Sequence, residues 1–283
     1  MGSLKTLTLA GAAVFAGLPA LAADLPPLIQ RAPVIAPAED FGGWYLRGDV
    51  GVGAQNFTDF AHHQTNAAFV WPASWRIDQK TIKDAAFVGA GIGYQFNNWL
   101  RVDVTGEYRA DVKFKVLGSY TEFCPGGRCF DFYDADHQAL VFLANAYVDL
   151  GTWWCLTPFV GVGAGFARHN VTTLTDIGLI ADGSTGFGFA ETDKTEWKFA
   201  WAVHAGVAWN VSNNLKLELA YRYLNMGDIN TAVIGCNSTG CATAGPRAFY
   251  TLTDFHSHDF KLGMRWLFNE PVPALLPPLV RKG

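Results

Sequence analysis

The sequence predicts an all-β chain: an eight-stranded antiparallel transmembrane β-barrel of up-and-down order, with long external loops and short periplasmic turns. Three observations predict it. Eight runs of residues alternate apolar with polar at period 2, as strands do when their two faces meet different media. The connections between runs alternate strictly between long and short, so long loops share one rim and tight turns the other. Large aromatics gather where the runs meet the short turns, the level of a lipid–water boundary.

Residues 1–22 read as a signal peptide, with Lys5 as the positive region, Leu7 to Leu18 as the apolar core and Ala20-Leu21-Ala22 as a small-x-small cleavage site. The mature chain is therefore exported. No Cys follows that site to carry a lipid anchor. Residues 23–43, with Pro26, Pro27, Pro33 and Pro37, read as an extended periplasmic linker that cannot build a ladder. The barrel is expected over 44–268.

Trp44, Leu46, Val50 and Val52 face one way in the first run, Arg47 and Asp49 the other. The second run sets Val88, Ala90, Ile92, Tyr94 and Phe96 against Gly89, Gly91 and Gly93, and Asn97-Asn98 turns into the third. There Leu100, Val102, Val104 and Tyr108 alternate with Arg101, Asp103, Thr105, Glu107 and Arg109, a charged row unlike a buried core face. The fourth run covers 140–150, with Asn145, Tyr147 and Asp149 on its polar side. The fifth sets Val160, Val162 and Ala164 against Gly161, Gly163 and Gly165. Trp197, Phe199, Trp201, Val203, Val207 and Trp209 face outward in the sixth, Lys198, His204 and Asn210 inward. Leu215, Leu217, Leu219, Tyr221 and Tyr223 alternate with Lys216, Glu218 and Arg222 in the seventh. The eighth presents Phe260, Leu262, Met264, Trp266 and Phe268 on one side and Asp259, Lys261, Gly263 and Arg265 on the other. Long loops fall at about 55–83, 117–135, 168–195 and 227–253, short turns at 97–98, 151–157 and 212–214.

Alternation alone fits a soluble lipocalin-type barrel with its apolar face inside. A lipocalin has no reason to gather Trp44, Phe96, Trp99, Trp153, Trp154, Trp209, Trp266 and Phe268 at one rim, so the apolar face is assigned to lipid. Tyr108, Phe114, Phe166, Trp197, Tyr221 and Tyr223 are expected to form the second girdle. The interior then holds Arg47, Asp49, Arg101, Asp103, Glu107, Arg109, Asp149, Lys198, Lys216, Glu218, Arg222, Asp259, Lys261 and Arg265. Their signs nearly balance, which lets confined charges neutralise one another. A static salt-bridge plug is the preferred reading, and a narrow ion path along the glycines at 89, 91, 93, 161, 163 and 165 is its alternative.

Five cysteines suit an oxidising compartment. Cys124 with Cys129, and Cys236 with Cys241, each enclose turn formers and are expected to close small disulfide loops. Four thiols brought together could instead hold zinc. Cys155 is left over, as a free thiol or an intermolecular link. A net charge of −4 and 16% charged residues leave no basic patch for nucleic acid. No segment after the leader offers the roughly 18 apolar residues of a spanning helix. Asp254, His256, Ser257, His258 and Asp259 cluster at the outer start of the last run. His256 and His258 share one face and Ser257 the other, so the run forms no triad by itself. His62-His63 has no metal-site spacing. No catalytic residue, metal or cofactor is expected.

The Phe41-Gly42-Gly43-Trp44-Tyr45-Leu46-Arg47-Gly48-Asp49 stretch, the Pro-rich lead and the Asn turns are similar to those of small Gram-negative outer-membrane β-barrel proteins, of the porin-like, opacity and heat-resistant-agglutinin types. Lys261, Gly263, Trp266 and Phe268 resemble the assembly signal that closes such barrels. The resemblance covers about residues 41–268 and implies an outer-membrane location. It also implies contact with outer-membrane lipid, lipopolysaccharide and the barrel-assembly machinery. Residues 269–283 depart from it, and Pro271, Pro273, Pro277 and Pro278 make them a periplasmic tail rather than another strand. The expected role is a non-enzymatic surface and envelope-integrity protein, with Trp71, Trp75 and the cysteine loops meeting a host, phage or matrix ligand. A narrow porin is the second reading, a lipid- or peptide-modifying membrane enzyme the third.

Overall fold

The computed structural model describes residues 42–65, 72–122, 124, 127–190, 192–236 and 247–268. The signal peptide, most of the Pro-rich lead, the tail from 269, Trp71 and Cys241 lie outside them, as does the side chain of Cys236. The described strands are β1 (Gly43–Asn56), β2 (Asp59–Gln64), β3 (Arg76–Ile82), β4 (Ala85–Gln95), β5 (Leu100–Tyr120), β6 (Cys129–Asp149) and β7 (Leu156–Leu179). They continue with β8 (Thr185–Ala190), β9 (Lys194–Asn210), β10 (Leu215–Asn225), β11 (Ile229–Asn230), β12 (Ile234–Cys236), β13 (Arg247–Thr253) and β14 (His256–Leu267).

Eight of these close a ring in the order β1-β4-β5-β6-β7-β9-β10-β14, antiparallel throughout. The closing ladder runs from Tyr45 opposite Leu267 to Asn56 opposite His256, so the ring leaves no strand edge. Its outward residues are the apolar set expected: Trp44, Val50, Ile92, Val104, Phe166, Val203, Leu219, Phe260 and Trp266 are all exposed. On β6 the band runs from Val148 up to Leu140 and then gives way to Gln138, Asp136 and Asp134. That is about the length of a membrane-spanning strand.

The short turns hold by local chemistry. Asn97 Oδ1 accepts from the Trp99 and Leu100 amides at 2.9 and 2.7 Å. Between β6 and β7, Gly151 (φ 111°), Trp154 (φ 50°) and Cys155 (φ 69°) use the left-handed region, and Trp154 is almost wholly exposed beside the aromatic rim. Cys155 is exposed and outside any disulfide.

The expected long connections are themselves largely strand, so their bounds are corrected. β5, β6 and β7 do not stop at the outer rim but run on as ladder, pairing from Val112 with His137 to Tyr120 with Cys129. Above the membrane band they join a second array, β3-β5-β6-β7-β8-β12-β13-β2. Its ends, β2 and β3, are not paired with each other among the described residues. Two bulges mark where the strands leave the ring, one on β5 between Arg109 and Val112 and one where Asp134 and Asp136 face Thr175 and Thr172. Each extra residue reverses the inward–outward phase. Phe114 is consequently buried inside the cap rather than exposed in the second girdle.

Trp75 also departs from expectation. It packs against Phe60 at 6.4 Å and covers Gly118, so it belongs to the cap wall. His62 and His63 sit on a strand, not in a loop, against Tyr250 and Phe249. Cys124 and Cys129 are disulfide-bonded at the β5–β6 tip.

Candidate functional site

The inward positions divide into three layers. In the lowest, Arg101 pairs with Asp149 (3.1 Å) and Glu218 (3.5 Å), Arg265 with Glu218 (3.1 Å), and the Arg101 guanidinium lies 4.0 Å from the Tyr147 ring centroid. Arg47 then bridges Asp49 (2.8 Å), Asp103 (2.7 Å) and Glu218 (3.5 Å), while Lys261 stands 3.6 Å from Asp49. Above them Arg109 and Arg222 share Glu107 and Asp259 at 2.6–3.0 Å. Six cations thus face six carboxylates, all buried. Desolvating one of these charges without its partners costs several kcal/mol; the closed network is what makes the burial tolerable.

Lys198 and Lys216, expected among them, stand apart. Lys198 lies at the outer end, paired with Glu196 at 3.3 Å, and Lys216 makes no ion pair among the described residues. In the glycine sector neighbouring side chains take up the space. A Cβ on Gly161 would overlap the Tyr147 ring, one on Gly163 the Asn145 amide, and one on Gly93 the Tyr45 ring. Their missing side chains are the space those neighbours fill. A Cβ on Gly263 in the last strand would likewise come within 2.6 Å of Asp49 Oδ1.

Several inward residues escaped the sequence reading. His137 Nε2 meets His169 Nδ1 at 2.9 Å, and His169 Nε2 meets the Met226 carbonyl at 3.1 Å. The carbonyl only accepts, so His169 carries its proton on Nε2 and His137 donates to Nδ1. Phe255 lies 4.8 Å from the His137 ring. Over this pair sits a buried cluster that includes Phe57, Phe60, Phe114, Tyr133, Tyr250, Leu252 and Phe255. Continued period-2 alternation through 112–120 and 129–139 was the available signal, hidden by the bulge. Ser257 points inward to Arg109 Nη2 (2.8 Å) and Asp259 (2.5 Å), whereas His256 and His258 face outward, where the His258 Nδ1 meets the Tyr221 hydroxyl at 2.7 Å. Among the described residues, no group of three His, Cys, Asp or Glu is arranged for a metal.

Residues 8–266 match the profile of the outer membrane protein β-barrel domain. The chain belongs to the outer membrane β-barrel family. Among its relatives, this outer membrane barrel is 30% identical to an uncharacterised protein of Brucella abortus (strain 2308), over 88% of this chain and 93% of that one. It is 26% identical to a Rickettsia prowazekii protein provisionally named an adhesin, over 79% and 86%. The structure of OprG from Pseudomonas aeruginosa aligns with 80% of this chain and 96% of its own, at 13% identity and a TM-score of 0.42. Like its family, this barrel resides in the outer membrane.

Proposed function

We propose that this outer membrane barrel is a non-enzymatic surface protein that supports envelope integrity and meets extracellular partners through the cap above its membrane ring. The observation that carries this reading is an apolar patch on the outside of the cap. Phe132, Ile177 and Phe187 stand side by side across β6, β7 and β8, each 45% exposed, with Leu179 beside them. A polar belt of Lys113, Lys115, Asp134 and Asp136 separates them from the lipid-facing band. They therefore lie beyond the acyl chains, where a contiguous apolar face suits a protein partner. The partner is a host, phage or matrix ligand, as the relative provisionally named an adhesin suggests.

Replacing Phe132, Ile177 and Phe187 together by Ser tests this. Binding of expressing cells to a host-cell or matrix layer is expected to fall to background while the protein still migrates as a compact unheated barrel. Unchanged adhesion would sink the reading. The porin alternative is weakened by the balanced lumen beneath an apolar cap, and a folded sample in a planar bilayer is expected to give no steady ohmic steps. The orientation of Ser257 toward Arg109, away from His256 and His258, supports the non-enzymatic reading.

Within this reading, residues 1–22 are removed, 23–43 and 269–283 stay periplasmic, and 44–268 form the barrel. The closing residues Lys261, Gly263, Trp266 and Phe268 engage the assembly machinery, and lipopolysaccharide surrounds the polar belt. Sequencing the membrane-extracted protein from its N-terminus is expected to begin at Ala23.

A further inference from the structure

Each buried carboxylate of the ring has a guanidinium or ammonium partner. Inside the cap, Asp131 does not: it is nine-tenths buried, and no Lys or Arg pairs with it among the described residues. Asp176 lies diagonally across the β6–β7 ladder, because Asp131 stands opposite Gly178 and Tyr133 opposite Asp176. That geometry separates the two residues by about 7–8 Å, close enough for both carboxylates to reach one cation. Asp176 Oδ1 is enclosed and accepts no hydrogen bond from any described residue. Leaving such an oxygen unmatched is unfavourable, and more so for a charged group.

The rest of the chamber is built of aromatic rings and missing side chains. The Tyr133 and Tyr250 hydroxyls meet at 2.9 Å, and Phe60 stacks on Tyr250 at 4.5 Å. Glycines face the acids: a Cβ on Gly178 would come 3.1 Å from Asp131 Oδ1, and one on Gly186 would meet nothing. Space therefore remains on the side of β7 and β8. Burial pushes the Asp131 carboxyl up to about 6, and burial reinforced by the Asp131 charge pushes Asp176 well above the ordinary carboxylate range. Both shifts express one deficit, a positive charge that no described residue of the cap brings to the pair.

We propose that the Asp131–Asp176 chamber in the cap is a binding site for an organic ammonium group, carried by a polyamine or by a lysine side chain of a partner. The two carboxylates take the charge, while Tyr120, Tyr133 and Tyr250, which face both acids, line the site for the cation and its methylenes. A metal ion fits less well, because no third His, Cys, Asp or Glu joins the pair among the described residues. This site is separate from the apolar patch outside the cap, so either can fail alone.

Calorimetric titration of the folded barrel in detergent micelles, at a pH above 7, tests it with three probes. These are 1,5-diaminopentane, a Gly-Lys-Gly peptide blocked at both ends, and calcium chloride. Binding of the diamine and the peptide supports the proposal with free amines as a source; binding of the peptide alone supports it with a protein-borne lysine as the source. Asp131→Asn and Asp176→Asn are each expected to weaken binding about tenfold or more, as loss of a charged hydrogen bond does. Asp111→Asn, at the exposed rim, is expected to leave it unchanged. Compact migration of the unheated variants shows that they are folded. Silence of both amines, equal binding by the folded Asn variants, or calcium binding in their place overturns the proposal.

Discussion

Arg222 donates from Nε and Nη2 to Asp259 and from Nη2 to both oxygens of Glu107, at 2.6–2.9 Å. Truncating it strands two buried carboxylates on Arg109 alone. Arg222→Ala is therefore expected to cost about 3–5 kcal/mol in urea unfolding in micelles. Adding Glu107→Gln should recover part of that loss, since the two residues share one network. Asp131 makes the opposite kind of contribution. Its carboxyl sits at about 6 in the folded cap, with Asp176, Tyr120, Tyr133 and Tyr250 as its titratable neighbours. In the unfolded chain the value is about 4. The folded state binds more protons between these values, so this group's stabilising contribution is present below pH 4 and lost as pH rises through 6. Asp131→Asn is expected to remove that dependence, about 2–3 kcal/mol across the window, read as a pH-flattened urea midpoint relative to the parent.

At the scale of the element, the β5 bulge sets which aromatics enter the cap. Deleting Ala110 would set Arg109 and Val112 two positions apart, removing the bulge while Phe114 and Val116 stay inward against Phe60 and Tyr133. The expected result is a ring that still shifts on heating and a β5–β6 extension that still resists limited proteolysis; cutting of the extension would show that the bend of the bulge, beyond the facing of these side chains, holds the cap together. The Cys124–Cys129 bridge closes a loop with a sequence separation of only 5. Removing it with paired Ser substitutions should cost at most about 2 kcal/mol, confined to amides near the β5–β6 tip in hydrogen exchange. The runs at 44–52, 86–96, 100–109, 197–209, 215–223 and 259–268 were legible because one side of each is lipid and the other a charged lumen. The extensions were not, because both of their faces are mixed. Outside the membrane, Phe132 and Lys115 can face the same solvent, and the period-2 contrast fades.

For the whole molecule, two arrays share β5, β6 and β7 but differ in closure. The ring has no free edge and is held by the bilayer; the cap has short ladders and unpaired ends at β2 and β3 among the described residues. Hydrogen exchange is expected to open amides of β2, β3 and β13 before those of β1, β10 and β14, following local stability. Equal protection in both sets would show a single cooperative unit. The sequence by itself determined the membrane ring, its orientation and the identity of most lumen charges, because a strand between lipid and a polar interior must alternate at every step. Only the tertiary structure decided which cation meets which carboxylate, that Lys198 and Lys216 stand apart, and that the supposed loops build a second array. It also decided that Asp131 and Asp176 stand together inside the cap with no cationic partner among the described residues. Those facts depend on register and on bulges between strands distant in sequence, and a one-residue shift reverses which face a side chain occupies.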